Sequence, residues 1–164
     1  MGIIDNIDKY ISEAVEHYWR TRRLQRERQK KRGVNDAGLR SAVTGGAQMD
    51  GFIDLFTRLI IESGVKEEFI FYKRRLELPG FFRPTKEWDL LVIKDGCLVL
   101  AIEAKSQVGP SFGNNFNNRT EEAMGSALDL WTAFREGAFN GGRQHFLDTF
   151  SCSKIAKRPI DLFG

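Results

Sequence analysis

The sequence predicts an α/β fold: a mixed central sheet flanked by helices on both faces, in a single domain over residues 1–164. Three observations predict it. Helical apolar spacing occurs twice before the strands and once after them, an order that suits helices layered on a sheet. The strands "WDLLVI" and "CLVLAIEAK" are apolar at successive positions and do not alternate, which marks a sheet covered on both faces. A length of 164 residues suits one domain with a real core.

Each element has its own signal. Ile4, Ile7, Ile11, Val15 and Tyr18 recur at helical spacing, so residues 3 to about 30 form one amphipathic helix that Gly33 stops. "GVNDAGLRSAVTGGAQ" is a polar, glycine-rich loop. In a second helix Phe52, Leu55, Phe56, Leu59 and Ile60 make the apolar face, and Gly64 is the residue that ends it. "EEFIFYKRRLEL" is a strand ended by Pro79-Gly80. The two apolar strands follow as a hairpin. "SQVGPSFGNNFNNR" is a loop. Thr120 to Arg135 is a third helix, with Met124, Leu128, Trp131 and Phe134 or Arg135 along its faces. Residues 137–164 carry only weak patterning.

Composition excludes several classes. The hydrophobic fraction of 41% is that of a soluble protein, and no apolar run approaches a membrane span. "MGIIDNIDKY" places acids among its apolar residues and is no secretory signal, so a cytoplasmic location is the default. Cys97 and Cys152 lack metal-ligand spacing, and Cys97 lies in an apolar run as a buried thiol. The net charge of +3 conceals an asymmetry: residues 20–32 carry a local +7, and the other 151 residues carry −4. With one acid among eight bases, few i,i+4 partners are available. Arg20, Arg22, Arg23, Arg26, Lys30 and Lys31 therefore point to phosphate contacts, the alternative being a solvated helix end.

The hairpin is where chemistry concentrates. Asp89 opens its first strand, and Glu103 and Lys105 end its second. Their relation depends on register. A two-residue Asp95-Gly96 turn turns Asp89 away from Glu103. A three-residue Lys94-Asp95-Gly96 loop, with Gly96 at positive φ, pairs Ile93 with Cys97 and puts Asp89, Ala101, Glu103 and Lys105 on one face. The second register is the expected one. Two carboxylates so placed repel each other unless a cation lies between them, and Mg²⁺ prefers such oxygen ligands. Lys105 beside them can orient an attacking water or stabilise charge on a phosphate. The competing reading is an ion pair at a strand end, with Lys105 neutralising Glu103.

Asp89, thirteen residues, then Glu103-Ala104-Lys105 resembles the PD-(D/E)xK nuclease signature. "AVEHYWRTRRLQ", "AVTGGAQMDGF" and "AIEAKSQVGPSFGNNFNNRTEEAMGSALDLWTAFREGAF" resemble the XhoI family of type II restriction endonucleases, over about Ala14 to Phe139. The resemblance implies a restriction-endonuclease-like core and Mg²⁺-dependent cleavage of double-stranded DNA within the palindrome CTCGAG. It implies that Asp89, Glu103 and Lys105 are catalytic. Asp89, Glu103 and the Ala104 carbonyl would hold the metal, and a homodimer would match the two-fold site. Members of that family are longer, so a C-terminal portion is expected to be missing from residues 1–164.

Accessory positions follow from placement. Gln107 lies two residues past Lys105 and can orient water or meet a phosphate. Asp50, on the helix before the sheet, is a candidate additional acid, with Glu62 as an alternative. Asn114, Asn115, Asn117, Asn118 and Arg119 lie in the glycine-rich loop before the third helix, where amides and a helix N-terminus favour phosphate or base edges. Glu121 and Glu122 fit the first turn of the third helix as dipole-matched structural acids, with Glu122 as a candidate outer acid of the site. Trp88 and Trp131 read as core. Two other functions compete: a DNA-binding module that keeps the nuclease fold without cutting, and a repair or recombination nuclease that reads DNA structure in place of sequence.

Overall fold

The computed structural model describes residues 3–31, 46–74, 76–106, 112–139 and 149–153. Gln107, the loop around Gly33 and His145 lie outside them, as do the side chains of Lys30, Lys31, Asn114 and Asn115. The chain forms two compact units, Met1–Glu67 and Glu68–Gly164.

The first unit is a helix pair, α1 (Ile3–Lys31) and α2 (Asp50–Glu62). They approach closely because Gly51 has no side chain: a Cβ there would lie 2.9 Å from His17 Cβ. Tyr18 packs edge-on against Phe52 beside the buried Ala14. The buried line runs Ala14, Tyr18, Arg22 at four-residue spacing, whereas Ile11 is exposed. The inward stripe of α1 is thus rotated from the one its isoleucines suggested. His17 bonds the Ala47 carbonyl at 3.0 Å, and the Tyr10 hydroxyl donates to Glu62 at 2.5 Å. As its spacing predicted, α2 ends at Gly64 (φ 95°). The Gly64 and Val65 N–H groups bond the carbonyls of Ile61 and Ile60, which satisfies the last turn.

The second unit holds a four-stranded mixed sheet, a two-stranded sheet and a long helix. The strands are β1 (Ile70–Phe71), β2 (Glu77–Pro79), β3 (Thr85–Glu87), β4 (Leu90–Lys94), β5 (Cys97–Lys105) and β6 (Thr149–Ser153), and the helix is α3 (Phe112–Arg135). The large sheet runs β1-β4-β5-β6, antiparallel except for the parallel β5–β6 pair, and β2 pairs β3 separately. The expected single strand "EEFIFYKRRLEL" is thus two short strands in different sheets, preceded by a 3-10 turn at Glu67–Phe69. Leu78, Trp88, Leu91, Leu98, Ala101 and Leu130 form the core, so α3 covers one face of β4–β5. Leu90, Val92 and Ile102, which alternate to the other face, are buried too. Cys97 is a half-buried free thiol.

The third helix starts eight residues earlier than Thr120, and the Asn-rich stretch is helical from Phe112. Its buried face is Ser126, Asp129, Leu130 and Ala133, while Met124, Leu128 and Trp131 are exposed. Polar Asp129 displaces the apolar residues from the inward face because it has partners there. Its Oδ1 accepts the backbone N–H groups of Phe81 and Phe82 at 3.0 and 2.7 Å, and Oδ2 pairs with Arg83 Nε at 3.0 Å. Each bond satisfies a buried charge that would otherwise be costly. Gly80 is required beneath this carboxylate, since a Cβ would come within 2.5 Å of Asp129 Oδ2 and 2.6 Å of the Arg83 carbonyl.

Candidate active site

The β4–β5 hairpin does not have the expected three-residue loop. Lys94 pairs with Cys97 across a two-residue Asp95-Gly96 turn. Both turn residues have positive φ, 53° and 75°, as a type I′ turn requires, and Asp-Gly is a preferred pair for it. That turn alone would send Asp89 to the wrong face. A second irregularity restores it. Ile93 pairs with Leu98 but Val92 pairs with Leu100, so Val99 is an extra, exposed residue on β5. The bulge shifts the register by one residue, and every side chain beyond it changes face relative to the partner strand. Leu90 then pairs with Ile102, and the Asp89 N–H donates to the Ile102 carbonyl at 3.0 Å. Asp89, just before β4, is thereby held level with Ile102 to Ala104, by a turn and a bulge in place of a longer loop.

The side chains converge accordingly. Asp89 Oδ2 accepts the Ala104 N–H at 2.7 Å. Because Ile102 turns its carbonyl towards Asp89, strand alternation turns the Ala104 N–H and carbonyl to the same edge. Glu103 is buried, and its Oε1 receives two ammonium groups, Lys105 Nζ at 2.6 Å and Lys86 Nζ at 2.7 Å. Lys105 also lies 3.9 Å from Glu122, whose carboxylate bonds Arg119 at 2.6 Å. A chain of alternating charge thus runs from β3 through β5 to α3. It lines a cavity of about 490 Å³ with Arg83, Lys86, Glu103, Lys105, Arg119 and Glu122 on its walls.

The two carboxylates are held in opposite electrostatic states. Burial pushes the Asp89 carboxyl up; the Ala104 N–H offsets part of this, and the charge of Glu103 adds to the rise. Burial would push Glu103 up as well, but hydrogen bonds from Lys105 and Lys86 outweigh it and hold its carboxyl below the ordinary value. The effect of Glu103 on Asp89 reports two like charges at close range, the setting that a divalent cation relieves. Among the described residues no group of three or more His, Cys, Asp and Glu side chains gathers. A cation here has two carboxylates and the Ala104 carbonyl available and would fill its remaining positions with water or phosphate oxygen. That donor set fits Mg²⁺, which keeps several waters and takes few carboxylates.

Other sequence-predicted positions fare unequally. Arg20, Arg23 and Arg26 are exposed on α1, but Arg22 is buried, at 4% exposure, which removes it from any phosphate-contacting surface. It follows Tyr18 by one helical turn, and that spacing was the available signal. Asp50 is exposed at the start of α2 in the first unit, where its charge complements the helix dipole. Asn117 and Asn118 are exposed, on the helix and not in a loop, and Arg119 is tied to Glu122. Glu87, two residues before Asp89, pairs with Glu77 in the small sheet. Trp88 is core, as expected, and Trp131 is not. Sequence reasoning missed Lys86. Its only signal was its position two residues before the buried Trp88, over whose ring the ammonium sits at 5.0 Å.

The family model for restriction endonuclease XhoI matches residues 28–156. This chain belongs to the XhoI restriction endonuclease family. The type II restriction enzyme AbrI of Azospirillum brasilense is 53% identical over 141 residues, 85% of this chain and 63% of that protein. BstVI of Geobacillus stearothermophilus is 50% identical over 123 residues, covering 72% and 55% of the two chains. XhoI of Xanthomonas vasicola is 46% identical over 134 residues, covering 79% and 52%. The chain thus spans between about half and 63% of the length of these relatives. The family match takes in Asp89, Glu103, Lys105 and all of α3, and leaves Arg20, Arg22, Arg23 and Arg26 outside it. No solved structure matches the chain. No helix among the described residues is long and apolar enough to cross a membrane.

Proposed function

We propose that the chain carries the cleaving centre of a type II restriction endonuclease on a restriction-endonuclease-like core. It hydrolyses phosphodiester bonds of double-stranded DNA at a short palindrome, CTCGAG by family resemblance, with Mg²⁺ as cofactor and in the cytoplasm. One observation carries this reading: Asp89 bonds the backbone of Ala104, next to Glu103, and Lys105 pairs with Glu103, inside the span that matches the family. Asp89, Glu103 and the Ala104 carbonyl would hold the cation. When bound, it supplies positive charge at the reacting phosphate and lowers the pKa of a water.

The chain's own residues do the rest. The Ala104 N–H fixes the Asp89 carboxylate in place. Glu103 stays ionised because its bonds to two ammonium groups outweigh its burial. Lys105, as an ammonium 2.6 Å from Glu103, donates to a phosphoryl oxygen as negative charge develops there. The water oxygen forms a bond to phosphorus while the bond to the leaving oxygen, in line behind it, breaks; the attacking water gives its proton to solvent and the leaving oxygen takes one from solvent. Arg119, with Asn117 and Asn118 on the same helix, meets the DNA backbone alongside. A palindromic substrate calls for a two-fold homodimer.

Digestion of a plasmid of known sequence, followed by mapping of the ends, tests the reading. Discrete Mg²⁺-dependent fragments with ends inside CTCGAG are expected. Tight binding without cleavage would make the chain a non-cutting module. Products that follow junctions or ends would make it a structure-specific nuclease.

A further inference from the structure

Lys86 has no place in the proposed reaction, yet it is among the most constrained cations of the second unit. It comes from β3 of the small sheet and reaches Glu103 on β5 of the large one. Its side chain is 12% exposed, its ammonium lies 5.0 Å from the centroid of the buried Trp88 ring, and its further polar contact is the Glu87 carbonyl at 3.4 Å. Two ammonium groups on one carboxylate oxygen exceed what the neutrality of Glu103 requires, since Lys105 alone supplies a full charge. Lys105 also has Glu122 within 3.9 Å, while Lys86 makes its one ion pair among the described residues with Glu103. A divalent cation approaching Glu103 therefore meets two ammonium groups already on Oε1, at a distance where like charges repel strongly.

We propose that Lys86 is the counter-ion that Glu103 exchanges for a divalent cation. Without the cation, Lys86 holds one carboxylate oxygen and supplies the charge that the cation would otherwise bring. Cation binding releases the ammonium into the adjoining cavity, whose walls include Arg83, Lys105 and Arg119, and there it meets a DNA phosphate. The stem pivots over the Trp88 ring, which stays fixed because Trp88 is buried and its backbone N–H donates to the Leu76 carbonyl at 2.9 Å. Cation and DNA then bind cooperatively, because each takes one of two partners that otherwise occupy each other. The inference rests on the proposed cation site.

Titration of the full chain with Mn²⁺, with no DNA present, reads the exchange without any activity. Lys86→Met keeps the stem on Trp88 and removes the charge; Lys86→Gln also keeps a donor for Glu103. Both variants should bind Mn²⁺ about tenfold more tightly than the parent. In Ca²⁺, the slope of log DNA affinity against log salt should flatten by about 0.9 in both, the signature of one phosphate no longer neutralised. Equal or weaker Mn²⁺ binding in both variants overturns the exchange. An equal gain in Arg119→Met, whose guanidinium lies on Glu122, would show a general field effect and overturn it too. An unchanged salt slope overturns the release onto phosphate. If the parent binds no Mn²⁺, the cation site itself fails and the inference falls with it, whereas a parent that binds while its variants do not gain sinks the inference alone.

Discussion

Over residues 20–32 the positive charge is contiguous in sequence, with eight Lys and Arg against one acid. Around Glu103 it is dispersed: Arg83 comes from a turn, Lys86 from β3, Lys105 from β5 and Arg119 from α3. The contiguous group is split by helical geometry, which buries Arg22 and exposes Arg20, Arg23 and Arg26. The dispersed group is gathered by the fold around two acids, Glu103 and Glu122. Charge density along a chain marks a face open to solvent and to polyanions, while charge convergence in space marks a cluster that only the fold can assemble. A +7 run attracts polyanions in general. A buried carboxylate bonded to two ammonium groups can act on one atom.

The largest expected effect lies at the gathered group. Glu103→Gln and Lys105→Ala should each lower the DNA cleavage rate by two to three orders of magnitude, about 3–4 kcal/mol, with DNA binding largely retained. Cleavage assays beside filter binding check this, and near-parent rates in either variant would move the chemistry elsewhere. Asp129 is the scaffold acid against which the proposed reacting acid, Glu103, is compared. Asp129→Ala leaves the Phe81 and Phe82 N–H groups and Arg83 without their acceptor, so urea denaturation should show a loss of about 3 kcal/mol. A loss well below 1 kcal/mol would mean that this carboxylate does not hold the turn.

Much of this division was legible in the sequence. The helix α2 and its glycine stop were readable because local spacing and a glycine at C′ determine them. The pair Asp89 and Glu103 was found through the hairpin, but for a reason the fold replaced. Asp95-Gly96 was the signal for a two-residue turn, and nothing in "CLVLAIEAK" marks Val99 as a bulge, because a bulge is fixed by what both strands must bury. Lys86 was invisible for a related reason. Its partner is seventeen residues away and in another sheet. The strand β6 was missed because "TFSCS" carries little apolar pattern and is defined by its pairing with β5. On α3, Asp129 takes the inward position that apolar periodicity assigned to its neighbours.

Within α1 the comparison becomes finer. Arg22→Ala should cost about 2 kcal/mol, read from urea midpoints, because its buried stem packs in the helix pair. It should leave the salt dependence of DNA binding unchanged. Neutralising Arg23 and Arg26 together should do the reverse, flattening the salt slope by about 0.9 for each phosphate that is no longer neutralised, with little change in stability. A flattened slope in Arg22→Ala would place that arginine on DNA after all.

The smallest effect is a matter of sign. Glu103, with its carboxyl held low, contributes stability above the ordinary carboxylate range and loses it as pH falls through its folded value. Asp89, with its carboxyl raised, does the opposite: its ionised form is penalised, and the penalty appears as pH rises through its folded value. Relative to the parent, Asp89→Asn should therefore gain stability on going from acid to neutral pH, and Glu103→Gln should lose it. Parallel profiles for the two variants would show that the carboxylates do not differ in environment.

Diffraction from crystals grown with Mn²⁺ tests the cation site most directly, because the anomalous signal of the ion locates it independently of activity. One peak is predicted at the open end of the hairpin, away from its turn and bulge, within about 2.0–2.3 Å of a carboxylate oxygen from each of Asp89 and Glu103. Mn²⁺ bound to other side chains, with Lys86 and Lys105 both still on Glu103, would contradict it.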